Sequence, residues 1–127
     1  MFLKKVPIYI KIFVNEVEIT NLVTGETVRR QAEQPFSIKR FVIADFFLAE
    51  ETLRKAMHGL STYRRFPMRA YKAVVQQMVE LEGGLTQIEL RALRDLAEMC
   101  GCGWVKLVMH AQLLSQEEAM AELNEGD

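Results

Sequence analysis

From Pro7 to Asn15 bulky apolar residues alternate along the chain. Ile8, Ile10 and Ile12 fall on one face, and Tyr9, Lys11 and Phe13 on the other. A period of two predicts a strand, and apolar character on both faces predicts partial cover on each. Glu16 to Leu22 continues the pattern, with Val17 and Ile19 set against Glu18 and Thr20. Thr24-Gly25-Glu26 carries a turn signal, and Thr27-Val28-Arg29 predicts a returning third strand. The first third therefore reads as an antiparallel meander. Polar Gln31 to Lys39, with Pro35, reads as a loop.

The period changes at Ala44. Phe47, Leu48, Leu53, Ala56, Met57 and Leu60 recur at helical spacing between Ala44 and Leu60. Asp45 stands where a carboxylate meets the free amide groups of a helix start. Gly59 and Ser61 mark the exit. Ala70 to Leu81, with Val74 and Val75, fits a buried strand, but its periodicity also permits a helix. Gly83-Gly84 predicts a turn. Thr86 is the expected N-cap of the next helix, and Glu89 completes a capping box. That helix is expected to turn Ile88, Leu93, Leu96, Ala97 and Met99 inward. Trp104 to Met109 predicts the last strand. Gln112 to Leu123 predicts a final helix with Leu113, Leu114, Ala119, Met120 and Leu123 on its apolar side. Asn124 to Asp127 reads as a frayed tail.

Composition narrows the function more than the fold. The 127 residues are enough for one domain with a real core, and the net charge of -1 gives no basic excess to suggest nucleic acid. No apolar run reaches the roughly 18 residues that span a bilayer. The start, Met1-Phe2-Leu3-Lys4-Lys5, lacks the apolar stretch and cleavage site of a signal peptide, so a cytoplasmic location is the expectation. Cys100 and Cys102 are poorly spaced for a disulfide with each other. They supply only two ligands, and neither His58 nor His110 stands at a zinc spacing from them. The expectation is two buried thiols at a helix end, capped by Gly101 or Gly103, with no metal and no cofactor.

Few residues suggest catalysis. Gly83-Gly84 lacks the Lys-Ser/Thr that follows in a phosphate-binding loop. A metal-dependent enzyme would need carboxylates converging at strand ends. Glu16, Glu18, Glu80 and Asp45 are the candidates, and no Asp stands on the first strand. Tyr63-Arg64-Arg65-Phe66 forms a basic, aromatic loop of a kind that suits an anionic lipid interface.

Two blocks resemble the bacterial actin homologue MreB, the rod-shape-determining family. One is Val42-Ile43-Ala44-Asp45-Phe46-Phe47, with Glu50 and Leu53 beyond. The other runs from Gly84-Leu85-Thr86-Gln87-Ile88-Glu89 to Asp95, followed by Cys100-Gly101-Cys102-Gly103 and Trp104 to Val108. The resemblance is specific from about Phe41 to Val108. It implies an α/β, ribonuclease-H-like unit, one half of an actin-like ATPase. Three antiparallel strands would be followed by helix, strand, helix, strand and helix, with the fourth strand near Lys72 to Val79. Residues 1–127 would form a single truncated domain, ending where the second half of the ATPase would begin.

The resemblance also sets functional expectations. It places Lys11 at the family's metal-site aspartate and Phe13 near the glycine of its phosphate hairpin, which implies no ATP binding and no enzymatic activity. Glu89 falls at the family's water-activating glutamate, but with Thr86, Gly84 and Asp45 it is expected to serve structure. The implied role is an interaction module linked to cell shape or the bacterial cytoskeleton. Tyr63, Arg64, Arg65 and Phe66 match a membrane-touching loop of the family, so weak membrane-peripheral contact is a further expectation. Surfaces that the absent half would cover call for the final helix, a protein partner or a homodimer. The dimer candidates are the outer face of the first strand, with Tyr9 and Phe13, and the helix from Gln112 to Leu123. The alternatives are a metal-dependent enzyme on the same fold or a small regulator of unknown target.

Overall fold

The computed structural model describes residues 5–64 and 71–125. Strand β1 (Val6–Phe13) pairs antiparallel with β2 (Glu16–Asn21), and β2 pairs antiparallel with β3 (Thr27–Gln31). Phe13 and Glu16 face each other across a tight turn at Val14–Asn15, where Asn15 takes a left-handed φ of 54°. Asn tolerates that region better than most residues, which suits it to the turn. Helix α1 (Phe46–His58) and a 3-10 turn (Ser61–Arg64) follow. Strand β4 (Tyr71–Gln77) then pairs parallel to β1. Helix α2 (Gln87–Met99) leads to β5 (Cys102–Val108), which pairs parallel to β4, and α3 (Gln116–Glu125) ends the described chain. The strand order is β3-β2-β1-β4-β5. The protein is thus mixed α/β, a five-stranded sheet with three α-helices among the described residues.

Burial explains why the ambiguous Ala70–Leu81 segment is a strand. β4 lies between β1 and β5, and Tyr71, Ala73, Val74 and Val75 are all buried, on alternating faces. A β-branched run covered on both sides favours a strand over an amphipathic helix. One sheet face carries Ile8, Ile10, Ile12, Val17, Ile19, Ala73 and Val75 against α1 and α2, forming the main core. Each large apolar side chain taken fully out of water contributes roughly 1.5–3 kcal/mol. The other face carries Tyr9, Leu22, Val74 and Val108 beneath Ala119 and Leu123 of α3.

Several expectations are corrected. Phe47 and Ile88 are each 80% exposed and Met99 is 50% exposed, so none of them faces inward. The inward stripe of α1 is Ala49, Thr52, Leu53, Ala56 and Met57, and that of α2 is Leu93, Leu96 and Ala97. Phe47 and Ile88 lie off those i, i+3, i+4 stripes, and Met99 is the last residue of α2, at the margin of its stripe. Helix α3 starts at Gln116, not Gln112, and continues to Glu125 through the expected tail. Its start is fixed by Ser115, whose Oγ accepts from the Glu118 N–H at 3.1 Å while the Glu118 carboxylate accepts from the Ser115 N–H at 2.8 Å. Leu113, expected on the inner side of that helix, lies before it and is 65% exposed. Phe36, within the expected polar loop, is fully buried, and its carbonyl accepts from the N–H groups of Ala44 and Asp45.

Candidate functional site

The parallel strands β1, β4 and β5 point their C-terminal ends to one end of the sheet, where α/β proteins commonly place ligands. The β1–β2 turn and the segments that lead into α2 and α3 lie at this end. Gly83 and Gly84 form the turn before α2, with φ of 86° and 72°, values that favour glycine. Thr86 follows as N-cap. Its Oγ1 accepts from the Glu89 N–H at 3.2 Å, and Glu89 Oε1 accepts from the Thr86 N–H at 3.1 Å and from its hydroxyl at 2.9 Å. Thr86 and Glu89 thus form the expected capping box, with Gly84 in the turn that precedes it. With Lys39, Arg40, Phe41, Leu81, Glu82 and Gly83 they line an open cleft of about 420 Å³. Glu89 Oε2 is buried and has no hydrogen-bond partner.

Asp45 stands apart from that cleft. It is the N-cap of α1, accepting from the Leu48 N–H at 3.1 Å. The β1–β2 hairpin is filled by its own side chains. Lys11 Nζ donates to Glu18 at 3.0 Å and lies 4.8 Å above the Tyr9 ring. The Arg29 guanidinium donates to both carboxylate oxygens of Glu16, at 2.8 and 2.9 Å, and to Glu18 at 3.1 Å, and it sits 4.7 Å above the Phe13 ring. The hydrogen bonds from Arg29 hold the Glu16 carboxyl below its ordinary range. Asn15 ties the turn to the following loop: its Oδ1 accepts from the Ser37 N–H at 2.7 Å and its N–H donates to Ser37 Oγ at 3.0 Å.

The Tyr9 expectation fails. Tyr9 is 2% exposed beneath α3, so it cannot form an outer face of the first strand. Its hydroxyl donates to Gln76 Oε1 and accepts from the Leu114 N–H at 3.2 Å. Gln76, fully buried, donates from Nε2 to the carbonyls of His110 and Gln112, both at 2.8 Å. This network holds the segment leading into α3. Burial pushes the Tyr9 phenol up, against the opposing effect of the Leu114 hydrogen bond. The apolar side of α3 is likewise spent inside the protein, on Ala119 and Leu123.

Tyr63 is half-buried, with its ring stacked 6.4 Å from Tyr71 and tilted at 42° to His58, 4.5 Å away. Arg64 closes the 3-10 turn. Arg65 and Phe66 lie outside the described residues. Cys100 and Cys102 are free and buried. Burial pushes the Cys100 thiol up to about 12, and it raises the Cys102 thiol as well. Among the described residues no group of three or more His, Cys, Asp or Glu is placed to hold a metal ion, and no helix is long and apolar enough to cross a membrane.

Sequence patterns miss two sets of residues. Lys39, Arg40 and Phe41 carry no motif, and only the fold brings them over the α2 turn. Phe47, Ile88 and Met99 have the composition of core positions. They are exposed instead, and Met99 borders a shallow cleft of about 350 Å³ with Phe46, Asp95 and Glu98. The Phe46 and Phe47 rings meet edge to face at 6.1 Å.

No family model matches the sequence. The chain is 33% identical over 127 residues to the uncharacterized protein YjaA of Escherichia coli (strain K12), an alignment that covers 93% of this chain and 97% of that protein. The chain belongs to the YjaA family.

Proposed function

We propose that this member of the YjaA family is a non-catalytic, MreB-like interaction module on a ribonuclease-H-like unit. In this reading it does not bind ATP and serves the cell-shape or cytoskeletal machinery. The order of elements supports the fold assignment: an antiparallel meander continues into two parallel strands, each preceded by a helix. One observation carries the non-catalytic reading. The polar side chains at the β1–β2 hairpin already have partners within the chain: Lys11 with Glu18, Arg29 with Glu16 and Glu18, and Asn15 with Ser37. A phosphate at this hairpin would have to displace those pairs and approach the backbone past Phe13. The Glu89 oxygen that accepts hydrogen bonds is committed to Thr86.

Partner binding falls to side chains that do nothing for the core. Phe47 and Met99 are large, apolar and exposed, and Phe46 of α1 and Met99 of α2 border one shallow cleft on which a partner can dock. Affinity purification of the full tagged chain from its native bacterium, with mass spectrometry, tests this reading. Filament or envelope proteins should co-purify with the wild type and be lost with Phe47→Ser, which leaves the core intact. Their absence from the wild-type sample, or their equal recovery with Phe47→Ser, contradicts it.

A catalytic alternative rests on Glu89 Oε2, which is buried and unpartnered on a residue lining the cleft with Lys39 and Arg40. Loss of a cellular phenotype in Glu89→Gln, at unchanged stability, would favour it.

A further inference from the structure

The two edges of the sheet differ in chemistry. β3 is short and basic, and both of its arginines are engaged: Arg29 with Glu16 and Glu18, and Arg30 with Glu33 at 3.5 Å. Charged, short edges resist further pairing. β5 forms the other edge, with β4 on one side and, among the described residues, no strand on the other. Its sequence, Cys102-Gly103-Trp104-Val105-Lys106-Leu107-Val108, has no proline and one charge. A register shift opposite Tyr71/Lys72 leaves Gly103 as the extra residue, and pairing with β4 is regular from Trp104 to Val108. An open groove of about 390 Å³ runs beside this edge, lined by Arg94, Glu98 and residues 103–106.

We propose that β5 pairs antiparallel with β5 of a second copy, joining the two sheets about a two-fold axis at Val105. The proposal stands on the sheet alone and does not depend on the functional reading above. Side-chain pairing narrows the register of such a pair. Opposed residues in an antiparallel pair lie on the same face, so only registers in steps of two residues keep both cores aligned. An axis at Lys106 would set two ammonium groups against each other, which destabilises a pair. An axis at Val105 sets each Lys106 against Trp104 of the second copy, giving two cation–π contacts on the face that carries α3. It also sets Gly103 against Leu107, a small residue against a large one. The Val105 carbonyl accepts from Arg94 Nη1 at 3.3 Å and keeps its second lone pair for the cross-copy bond. Two-fold self-pairing is the commonest symmetry of soluble oligomers. It would hide the half-buried Trp104 and Leu107, which the monomer leaves partly in water.

Sedimentation velocity of the full chain across the micromolar range tests the idea. The wild type should show reversible dimerisation. Lys106→Glu, which leaves the core untouched, should weaken the dimer by about tenfold, as expected when two cross-strand pairs are removed. Trp104→Lys combined with Lys106→Glu should recover it, because each new ammonium group would then face a new carboxylate across the axis. Circular dichroism confirms folding of each variant. A wild type that stays monomeric throughout overturns the proposal, as does a dimer indifferent to Lys106→Glu.

Discussion

Tyr9→Phe isolates the hydroxyl that locks α3 to the sheet. The ring keeps its packing against Leu22, Val74, Val108, Ala119 and Leu123, so the apolar contribution is unchanged. Two hydrogen bonds disappear, one to Gln76 Oε1 and one from the Leu114 N–H. Gln76 has no exposed surface, and water cannot replace the missing donor. An acceptor stranded in that way costs about 1–3 kcal/mol. The Leu114 N–H, in a half-buried loop, adds roughly 0.5–1 kcal/mol, since water can reach it in part. The total is about 1.5–4 kcal/mol, which for a chain of this length lowers the melting temperature by roughly 5–16 °C. Urea unfolding followed by circular dichroism measures the cost, and hydrogen exchange locates it. Amides of α3 should lose protection well before those of β1 and β4. A loss below about 0.5 kcal/mol, with α3 protected as in the wild type, would refute the assignment of this network as the clamp.

Two further predictions concern groups that a catalytic account would assign differently. Thr86→Val should cost about 1 kcal/mol in a thermal melt through loss of the N-cap, whereas Glu89→Gln should be nearly neutral, because the amide oxygen can still accept from the Thr86 N–H. A cost for Glu89→Gln equal to that of Thr86→Val would point to a role for the charge itself. Cys100 and Cys102 should react with a thiol-specific disulfide reagent only on unfolding, since burial holds both thiols protonated. Fast modification of the native protein at mildly alkaline pH would show that this segment opens.

Local signals in the sequence account for much of the fold. The Ile8-Ile10-Ile12 alternation marks β1, and the Thr86/Glu89 pair marks the start of α2, because each signal involves neighbours in the chain. Ser115 and Glu118 form a second capping box of the same kind. That spacing signals the start of α3, but the apolar Leu113-Leu114 pair draws the expected helix start too early. Phe47, Ile88 and Met99 mislead for a different reason. Apolar residues flank the true inward stripes, and composition alone does not tell a core position from an exposed one beside it. The Tyr9–Gln76–Leu114 network joins residues 67 and 105 positions apart, a separation that no local pattern reports. The cleft over the α2 turn is half legible. Gly84, Thr86 and Glu89 stand out by their spacing, whereas Lys39 and Arg40 reach it only through the path of the loop that Phe36 anchors.

The central claim is that the strand-end hairpin serves the protein's own structure and does not hold a nucleotide. Calorimetric titration of the full chain with Mg-ATP tests it most directly. The account predicts no heat beyond dilution up to high micromolar nucleotide, because Lys11, Arg29 and Asn15 are already paired and the Phe13 ring packs beneath Arg29. A saturable isotherm with a micromolar dissociation constant would contradict it.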